Sequence, residues 1–169
     1  MELRLTIRDL EPGDLADLDW SGGSAHIRAV AAALQDSYHG DAAVVVLALA
    51  NGRLVAMGGV DFRPDPECGR LWLLAVHHRL QSLGLGTRLI GALEDRIITS
   101  GRSRARLSVE LDNPRAGELY RRLGYRELGP VRETWPLDDG GTYVAACTAM
   151  ERDLSAGPRG GSRSGRDRD

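Results

Sequence analysis

The chain has 169 residues, of which 42% are hydrophobic, enough to fill the core of one domain. Its 24 acidic and 22 basic residues are interspersed and give a formal net charge of -2, which argues against nucleic acid as a main partner. Cys68 and Cys147 lie far apart, without a metal-binding motif beside either, so we expect no metal site. The longest apolar run, residues 42–50, is too short to span a bilayer, and the N-terminal residues do not resemble a secretory leader. We therefore expect a cytoplasmic protein that is not bound to a membrane.

The N-terminal residues are predicted to form a strand followed by two helices. Apolar and polar residues alternate over residues 3–8, which is the period of a half-buried strand. Residues 11–14 break this strand and begin a short helix that ends near Trp20. Ser24 can cap a second helix. The apolar residues of that helix recur at helical spacing: Ile27, Val30, Ala31 and Leu34.

A hairpin and a buried strand follow. The apolar runs at residues 43–50 and 53–61 are joined by Asn51-Gly52, a pair that favours positive φ at both corners of a tight turn. Residues 71–76 are continuously apolar, which is typical of a strand covered on both faces. We expect this strand to be central in the sheet.

The next elements alternate between helix and strand. A helix is predicted over residues 87–100, with Gly101 as its terminating residue. Residues 104–111 alternate as a strand does. Asn113 followed by Pro114 marks the start of another helix, which ends at Leu123.

Two short strands complete the predicted domain. Residues 125–128 and 142–151 are the candidates, separated by a long loop. The element order indicates one mixed α/β (α+β) domain over residues 1–154. Residues 155–169 are rich in Gly, Ser, Arg and Asp, and this composition predicts a disordered tail.

A glycine-rich turn carries the first functional signal. Residues 81–86 lie between a predicted buried strand and a helix, where backbone N–H groups can converge on an anion at the positive end of the helix dipole. Gly84 and Gly86 lack a Cβ atom, so the backbone can adopt positive φ and a phosphate can approach closely. The turn alone is weak support for a cofactor, because many such turns only connect a strand to a helix.

Two sequence blocks set this turn in a family context. Residues 73–90, LLAVHHRLQSLGLGTRLI, closely resemble the acetyl-CoA signature of the GCN5-related N-acetyltransferase (GNAT) superfamily. Residues 107–125 resemble the family's segment of strand, Asn, helix, Tyr, Gly and aromatic residue, and residues 150–154 are similar to a common family ending. The resemblance covers residues 3–154. It implies a single GNAT-like domain whose central, mostly antiparallel sheet is flanked by helices and has splayed fourth and fifth strands.

The resemblance implies acetyl-CoA as co-substrate. In the family, the pantetheine arm pairs with the fourth strand, and the matching residues here are Leu74, Ala75 and Val76. The family's pyrophosphate loop matches Gln81, Leu83, Gly84, Leu85, Gly86 and Thr87. Asn113 aligns with a residue that contacts the pantetheine or its neighbouring helix, but it is also a good N-cap, and the two roles are weighed evenly.

The resemblance also assigns a general acid but no general base. Tyr120 aligns with the family's usual acid, which protonates the departing CoA thiolate, although its ring could instead only pack against the sheet. The positions at which family members often place a basic glutamate hold Arg70 and Ser108. The substitutes that the sequence offers, besides a chain of water molecules, are Asp61, Glu67, His77, His78 and Glu110.

The implied function is transfer of the acetyl group of acetyl-CoA to a primary amine of a small molecule or peptide by direct attack in a ternary complex. In the family the acceptor is recognised by loops that match residues 17–26 and 129–142. Their acidic residues suit a cationic acceptor, and Trp20 and Trp135 could form its walls. The acidic residues in question are Asp17, Asp19, Asp138 and Asp139. The main alternative is a non-catalytic acyl-CoA-binding sensor or partner module; a different nucleotide-binding α/β domain is more remote, and a homodimer is left open.

Overall fold

The computed structural model describes residues 3–155, which form one seven-stranded sheet and three α-helices. The strands are β1 (Leu5–Asp9), β2 (Ala42–Leu49), β3 (Leu54–Asp61), β4 (Cys68–Val76), β5 (Arg104–Glu110), β6 (Arg126–Pro136) and β7 (Thr142–Asp153). The helices are α1 (Ser24–Ser37), α2 (Leu85–Thr99) and α3 (Pro114–Arg122). The predicted single mixed α/β domain is confirmed.

The sheet has the order β1-β2-β3-β4-β5-β7-β6, which places β4 at its centre as predicted. All neighbouring strands are antiparallel except β4 and β5, which are parallel. Helix α2 covers one face of the sheet through its buried Leu89, Leu93 and Ile97. Helix α1 covers the opposite face through Val30 and Leu34. The sheet therefore separates two apolar cores.

The segment before α1 differs from the prediction in detail. The short predicted helix consists of two 3₁₀ turns, Pro12–Asp17 and Asp19–Ser21. The prediction that Ser24 caps the next helix is wrong, because Gly23 is the N-cap residue and Ser24 is already helical. The side chain that binds this helix end comes from Asp138, whose Oδ1 accepts a hydrogen bond of 2.7 Å from the Ala25 N–H.

The hairpin between β2 and β3 forms, but its turn is of another type. Gly52 has φ of 84°, whereas Asn51 does not adopt positive φ. The Gly52 N–H donates to the Leu49 carbonyl at 2.8 Å, and the Leu49 N–H donates to the Arg53 carbonyl at 2.9 Å. This is the three-residue loop in which a type I turn is followed by one left-handed residue, so only the glycine needs positive φ.

The predicted long loop before the last strand is wrong over most of its length. Strand β6 continues to Pro136, and its ladder with β7 runs from Arg126 opposite Glu151 to Pro136 opposite Thr142. Only residues 137–141 connect the two strands. Pro130 and Pro136 hid the strand in the sequence, but β6 is an edge strand, where a missing N–H does not break a ladder on both sides.

The structure bears on the predictions about the membrane and the C-terminal tail as follows. None of the helices within residues 3–155 is long and apolar enough to cross a membrane. The predicted disordered tail lies outside the described residues, apart from Ser155.

Candidate active site

Strands β4 and β5 pair over only three residues and then separate. Residues 68–70 pair with residues 104–106, and no further β4–β5 pair follows. Next to this point the register between β3 and β4 shifts, so that Gly58 lies opposite both Leu73 and Leu74. Leu73 adopts φ of 59°, which is rare for a residue with a side chain. Such a bulge bends its strand, and the bend accompanies the opening between β4 and β5.

A cleft of about 600 Å³ occupies this opening on the side of helices α2 and α3. Four parts of the chain line it: the end of β4, the glycine-rich loop, the start of α2 and helix α3. The lining residues are Leu74, Ala75, Val76, Gln81, Ser82, Gly84, Leu85, Gly86, Thr87, Leu89, Ile90, Asn113, Arg115, Ala116, Leu119, Tyr120 and Arg122. Residues 74–90 and residues 113–122, which 22 residues separate along the chain, thus contribute to one surface.

The glycine-rich loop presents the first turn of α2 to the cleft. Ser82 and Gly84 both adopt left-handed φ, 72° and 78°, and the helix begins at Leu85. A side chain at Gly84 would have open space, so only its backbone conformation calls for glycine. A Cβ atom at Gly86 would lie 3.4 Å from Leu119 Cδ2, which is ordinary contact. Packing within the protein therefore does not require a glycine at position 86.

The predicted cofactor residues all line this cleft except one. Leu83 is not part of the cleft lining and is 55% exposed. The sequence reasoning missed Ser82, Arg115 and Arg122, of which the two arginines supply positive charge at the cleft. Arg115 donates a hydrogen bond to Ser82 Oγ and so connects α3 to the loop. The signal for these residues was their place inside the two sequence blocks.

Asn113 serves as the N-cap of α3. Its Oδ1 accepts a hydrogen bond of 3.3 Å from the Ala116 N–H. The same residue lines the cleft, so the capping role is present and a ligand contact is compatible with it.

Tyr120 and Tyr125 lie 6.1 Å apart, edge to face, but only Tyr120 lines the cleft. Burial raises the pKa of the Tyr120 phenol. Tyr125 is held by its hydroxyl, which donates to Glu94 at 2.8 Å, while Arg152 binds the same carboxylate at 2.8 Å. Among residues 3–155, no partner for the Tyr120 hydroxyl is found.

The two positions that lack the expected glutamate meet a carboxylate from another strand. Arg70 Nη2 lies 3.0 Å from Glu133 Oε2, and Ser108 Oγ donates to Glu133 Oε1 at 2.8 Å. Glu133 belongs to β6, in the segment predicted as a loop. Its alternation with Val131 and Trp135 was the sequence signal, but the prolines on either side masked it.

The substitutes named from the sequence lie outside the cleft lining. Asp61 pairs with Arg63, and Glu67 pairs with Arg104. His77 is buried, and its Nδ1 accepts from the Arg79 N–H at 3.3 Å. Burial and the nearby Asp112 raise the pKa of Glu110. The remaining substitute, also outside the cleft, is His78, which stacks on His77.

The predicted acidic acceptor loops are not gathered at one point. Asp17, Asp19 and Trp20 line a separate cleft with His77. Asp138 binds the start of α1, where its carboxylate also lies against Gly23. Asp139 Oδ1 accepts from the Gly141 N–H within its own loop. Trp135 stacks on Tyr143 with ring centres 5.9 Å apart.

The two cysteines lie in the protein interior. Cys68 and Cys147 are both buried, and burial raises the pKa of each thiol. Neither lines the cleft. The described part of the chain contains no cluster of residues that could hold a metal ion.

Known proteins share this architecture. A comparison with curated protein sequences finds no match. Among solved structures, a spermidine N-acetyltransferase from Vibrio cholerae in complex with CoA and spermine aligns with a TM-score of 0.71 at 19% identity, over 89% of this chain and 96% of that one. The ribosomal-protein-S18-alanine N-acetyltransferase from Escherichia coli gives 0.70 at 23% identity, over 95% and 98%. A GNAT-family acetyltransferase from Streptococcus pneumoniae gives 0.66 at 19% identity, over 89% and 100%.

These structures share the fold at low sequence identity, whereas a match to a family model identifies the family from the sequence. A family model described as Acetyltransferase (GNAT) family matches residues 13–125, which include both blocks that line the cleft. The chain therefore belongs to the GNAT family of acetyltransferases.

Proposed function

We propose that the protein transfers the acetyl group of acetyl-CoA to a primary amine of a small molecule or peptide. The observation that carries this proposal is the opening between β4 and β5, because it joins the glycine-rich loop at one end to the Tyr120 phenol within a single cleft. A binding surface alone would not need a half-buried proton donor at that place.

The cleft suits the parts of CoA. The first turn of α2 and the left-handed residues before it present N–H groups to a pyrophosphate, and Gly86 leaves room for it. Arg115 and Arg122 add positive charge for phosphate groups. Leu74, Ala75 and Val76 have no β5 partner, so the edge of β4 that faces β5 can pair there with the amide groups of pantetheine as an added strand would.

Direct attack by the amine fits the residues better than an acetyl-enzyme intermediate. A thiol nucleophile needs a lowered pKa and exposure to the substrate. Both thiols of the chain are buried away from the cleft, and burial raises their pKa. The amine would therefore attack the thioester itself, with both substrates bound.

Tyr120 is suited to protonate the leaving thiolate. A CoA thiolate resembles that of cysteine, with a pKa of about 8.5, so it accepts a proton from a nearby phenol when water is scarce. Burial raises the pKa of Tyr120 and keeps the phenol in its donor form at neutral pH.

The acceptor is proposed to be a cationic amine. The fold neighbours named above are acetyltransferases of a polyamine and of an alanine residue. On this chain, Glu110 and Asp112 lie close enough for Asp112 to raise the pKa of Glu110, which marks a concentration of negative charge beside β5. Such a region would attract an acceptor that carries ammonium groups.

The test is to incubate the protein with acetyl-CoA and a panel of polyamines, small amines and peptide N-termini while following release of free thiol. Turnover with at least one amine supports the proposal. Tight acetyl-CoA binding by calorimetry without turnover on any acceptor would instead favour the non-catalytic sensor. Absence of CoA binding would contradict both functions.

A further inference from the structure

We propose that Glu133 is the catalytic carboxylate that receives the acceptor ammonium and takes its proton, an inference that rests on the acetyltransferase function proposed above. The carboxylate bridges β4 and β5 at the closed end of the opening between them. Arg70 is the last β4 residue paired with β5, and Ser108 lies two residues beyond the last paired residue of β5.

Strand geometry explains how a residue of β6 reaches this place. Side chains that lie opposite each other in an antiparallel ladder share a face, and Glu133 lies opposite Ala145 of β7. On that face, β7 presents three small residues between Glu133 and Ser108, namely Ala145, Cys147 and Ala149, the last of which lies opposite Ser108. Glu133 therefore extends over β7 to contact Ser108 on the strand beyond.

The two substrates would reach the opening from opposite faces of the sheet. Leu107 and Val109 point into the core beneath α2 and α3, on the same side as the cleft. Ser108 lies between them and points to the other face, as does the Glu133 carboxylate that it binds. Glu133, like Arg70 and Ser108, does not line the cleft, so an amine that binds this carboxylate would approach the separated strands from the face opposite the cleft.

The contacts hold the carboxylate without using up its acceptor capacity. The Glu133 side chain is 19% exposed, so it is partly desolvated yet accessible. Arg70 binds one oxygen and Ser108 donates to the other. A carboxylate has about four acceptor positions, so each oxygen can accept a further hydrogen bond from an ammonium group.

The reaction balances with these residues. Glu133 accepts a proton from the ammonium, and the neutral nitrogen forms a bond to the thioester carbonyl carbon. The resulting intermediate loses a second N–H proton to solvent, the C–S bond breaks, and Tyr120 gives its proton to the thiolate. The amide and free CoA leave, and solvent takes the net proton and restores both side chains.

The first test compares Glu133→Gln with wild type in full pH profiles of kcat/KM for the best amine of the panel. The variant should lose about 100-fold at neutral pH. Wild type should show a plateau across neutral pH, because the carboxylate accepts the ammonium form. The variant should instead rise about tenfold per pH unit, since only the neutral fraction of the amine can then react. Acetyl-CoA affinity and melting temperature should be unchanged.

Glu127→Gln is the matched control. Glu127 lies on the same strand and pairs with Arg121 at 2.6 Å on the exposed surface, away from the opening. This variant should keep the wild-type rate and pH profile.

The second test moves the carboxylate to β5 through Ser108→Glu in the Glu133→Gln background. Because Ser108 Oγ lies 2.8 Å from Glu133 Oε1, a glutamate there places its carboxylate at the same opening. Recovery of at least tenfold in rate, together with the neutral plateau, supports a chemical role, which a purely structural effect would not produce. Wild-type turnover with an unchanged rate and profile in Glu133→Gln would overturn this inference alone. A wild type that turns over no amine would overturn the proposed function and this role with it.

Discussion

At the residue scale, the neighbouring phenols of Tyr120 and Tyr125 lie in different environments and should have different roles. The Tyr125 hydroxyl donates to Glu94, which Arg152 also binds, whereas Tyr120 lines the cleft. We expect Tyr120→Phe to lower kcat about 100-fold or more with little change in stability, because it removes the proton donor and no hydrogen bond found in the described residues. Thiol release and thermal melting measure the two effects.

Tyr125→Phe is the control variant, and it should lose stability while keeping activity. It removes a hydrogen bond to a buried carboxylate, which costs about 2 kcal/mol in the free energy of unfolding. Its kcat should remain close to wild type. Equal losses of activity in the two variants, after correction for stability, would argue that Tyr120 acts only through packing.

Gly86 separates ligand binding from folding more cleanly than Gly84 does. Gly86→Ala places a Cβ atom at ordinary contact distance from Leu119, within a helix where alanine is favoured, so stability should hold or rise slightly. CoA affinity should fall at least about tenfold, by the rule that 1.4 kcal/mol is one decade, if a phosphate rests on this backbone. Calorimetric titration with CoA measures it.

Gly84→Ala should lower both the stability of the protein and its affinity for CoA. Its φ of 78° is left-handed, and a side chain in that conformation costs about 1–2 kcal/mol. Unchanged CoA affinity in Gly86→Ala would move the phosphate away from this loop.

At the scale of elements, one long-range contact fastens the β6–β7 connection to α1. Asp138 Oδ1 binds the Ala25 N–H, and a Cβ atom at Gly23 would clash with Asp138 Oδ2. Asp138→Ala should cost about 1 kcal/mol, as loss of an N-cap does. Gly23→Ala should cost at least as much, because its methyl group displaces the same carboxylate.

The two substitutions should be strongly non-additive. In the Asp138→Ala background, Gly23→Ala should be nearly neutral, since the carboxylate that it displaces is already gone. Urea denaturation of the four proteins in the cycle measures the coupling. Asp139→Ala is the control, because Asp139 bonds within its own loop. Additive costs for Gly23 and Asp138 would contradict the fastening contact.

The limits of sequence reasoning also lie at this scale. Local signals predicted the hairpin, the central β4 and the glycine-rich turn before α2, because periodicity and glycine placement are encoded within short segments. Strand β6 was predicted only as far as residue 128, since the prolines that follow are acceptable only on an edge that no local pattern reveals. The Glu133 contacts and the Asp138 cap depend on strand pairing between distant residues, so neither could be read from spacing along the chain.

At the scale of the whole molecule, the sheet keeps the two proposed substrates on separate faces. The proposed CoA cleft lies beneath α2 and α3, and the Glu133 carboxylate faces the side that carries α1. Between these two sides, β4 and β5 stop pairing after Arg70 and Arg106. A fold that held these strands together would bind both ligands without letting them react.

The stability of the folded chain should depend on pH in two steps. Burial lowers the pKa of His26, and its Nε2 is buried without a hydrogen-bond partner among the described residues. Arg8 lowers the pKa of Asp14 through a 2.7 Å hydrogen bond. Both groups have lower pKa values in the folded state, so below their unfolded values of about 6.5 and 3.9 the unfolded chain binds more protons.

The free energy of unfolding should therefore decrease as pH drops below about 6.5 and decrease further below about 4. His26→Gln removes the titrating group of the first step, so its stability should change less than that of wild type between pH 7.5 and pH 5.5. Urea denaturation at these two pH values measures the difference, with His39→Gln as the control because His39 is exposed beyond the end of α1. A wild-type loss that persists in full in His26→Gln would assign the first step to other groups, of which His77, whose pKa burial also lowers, is the next to substitute.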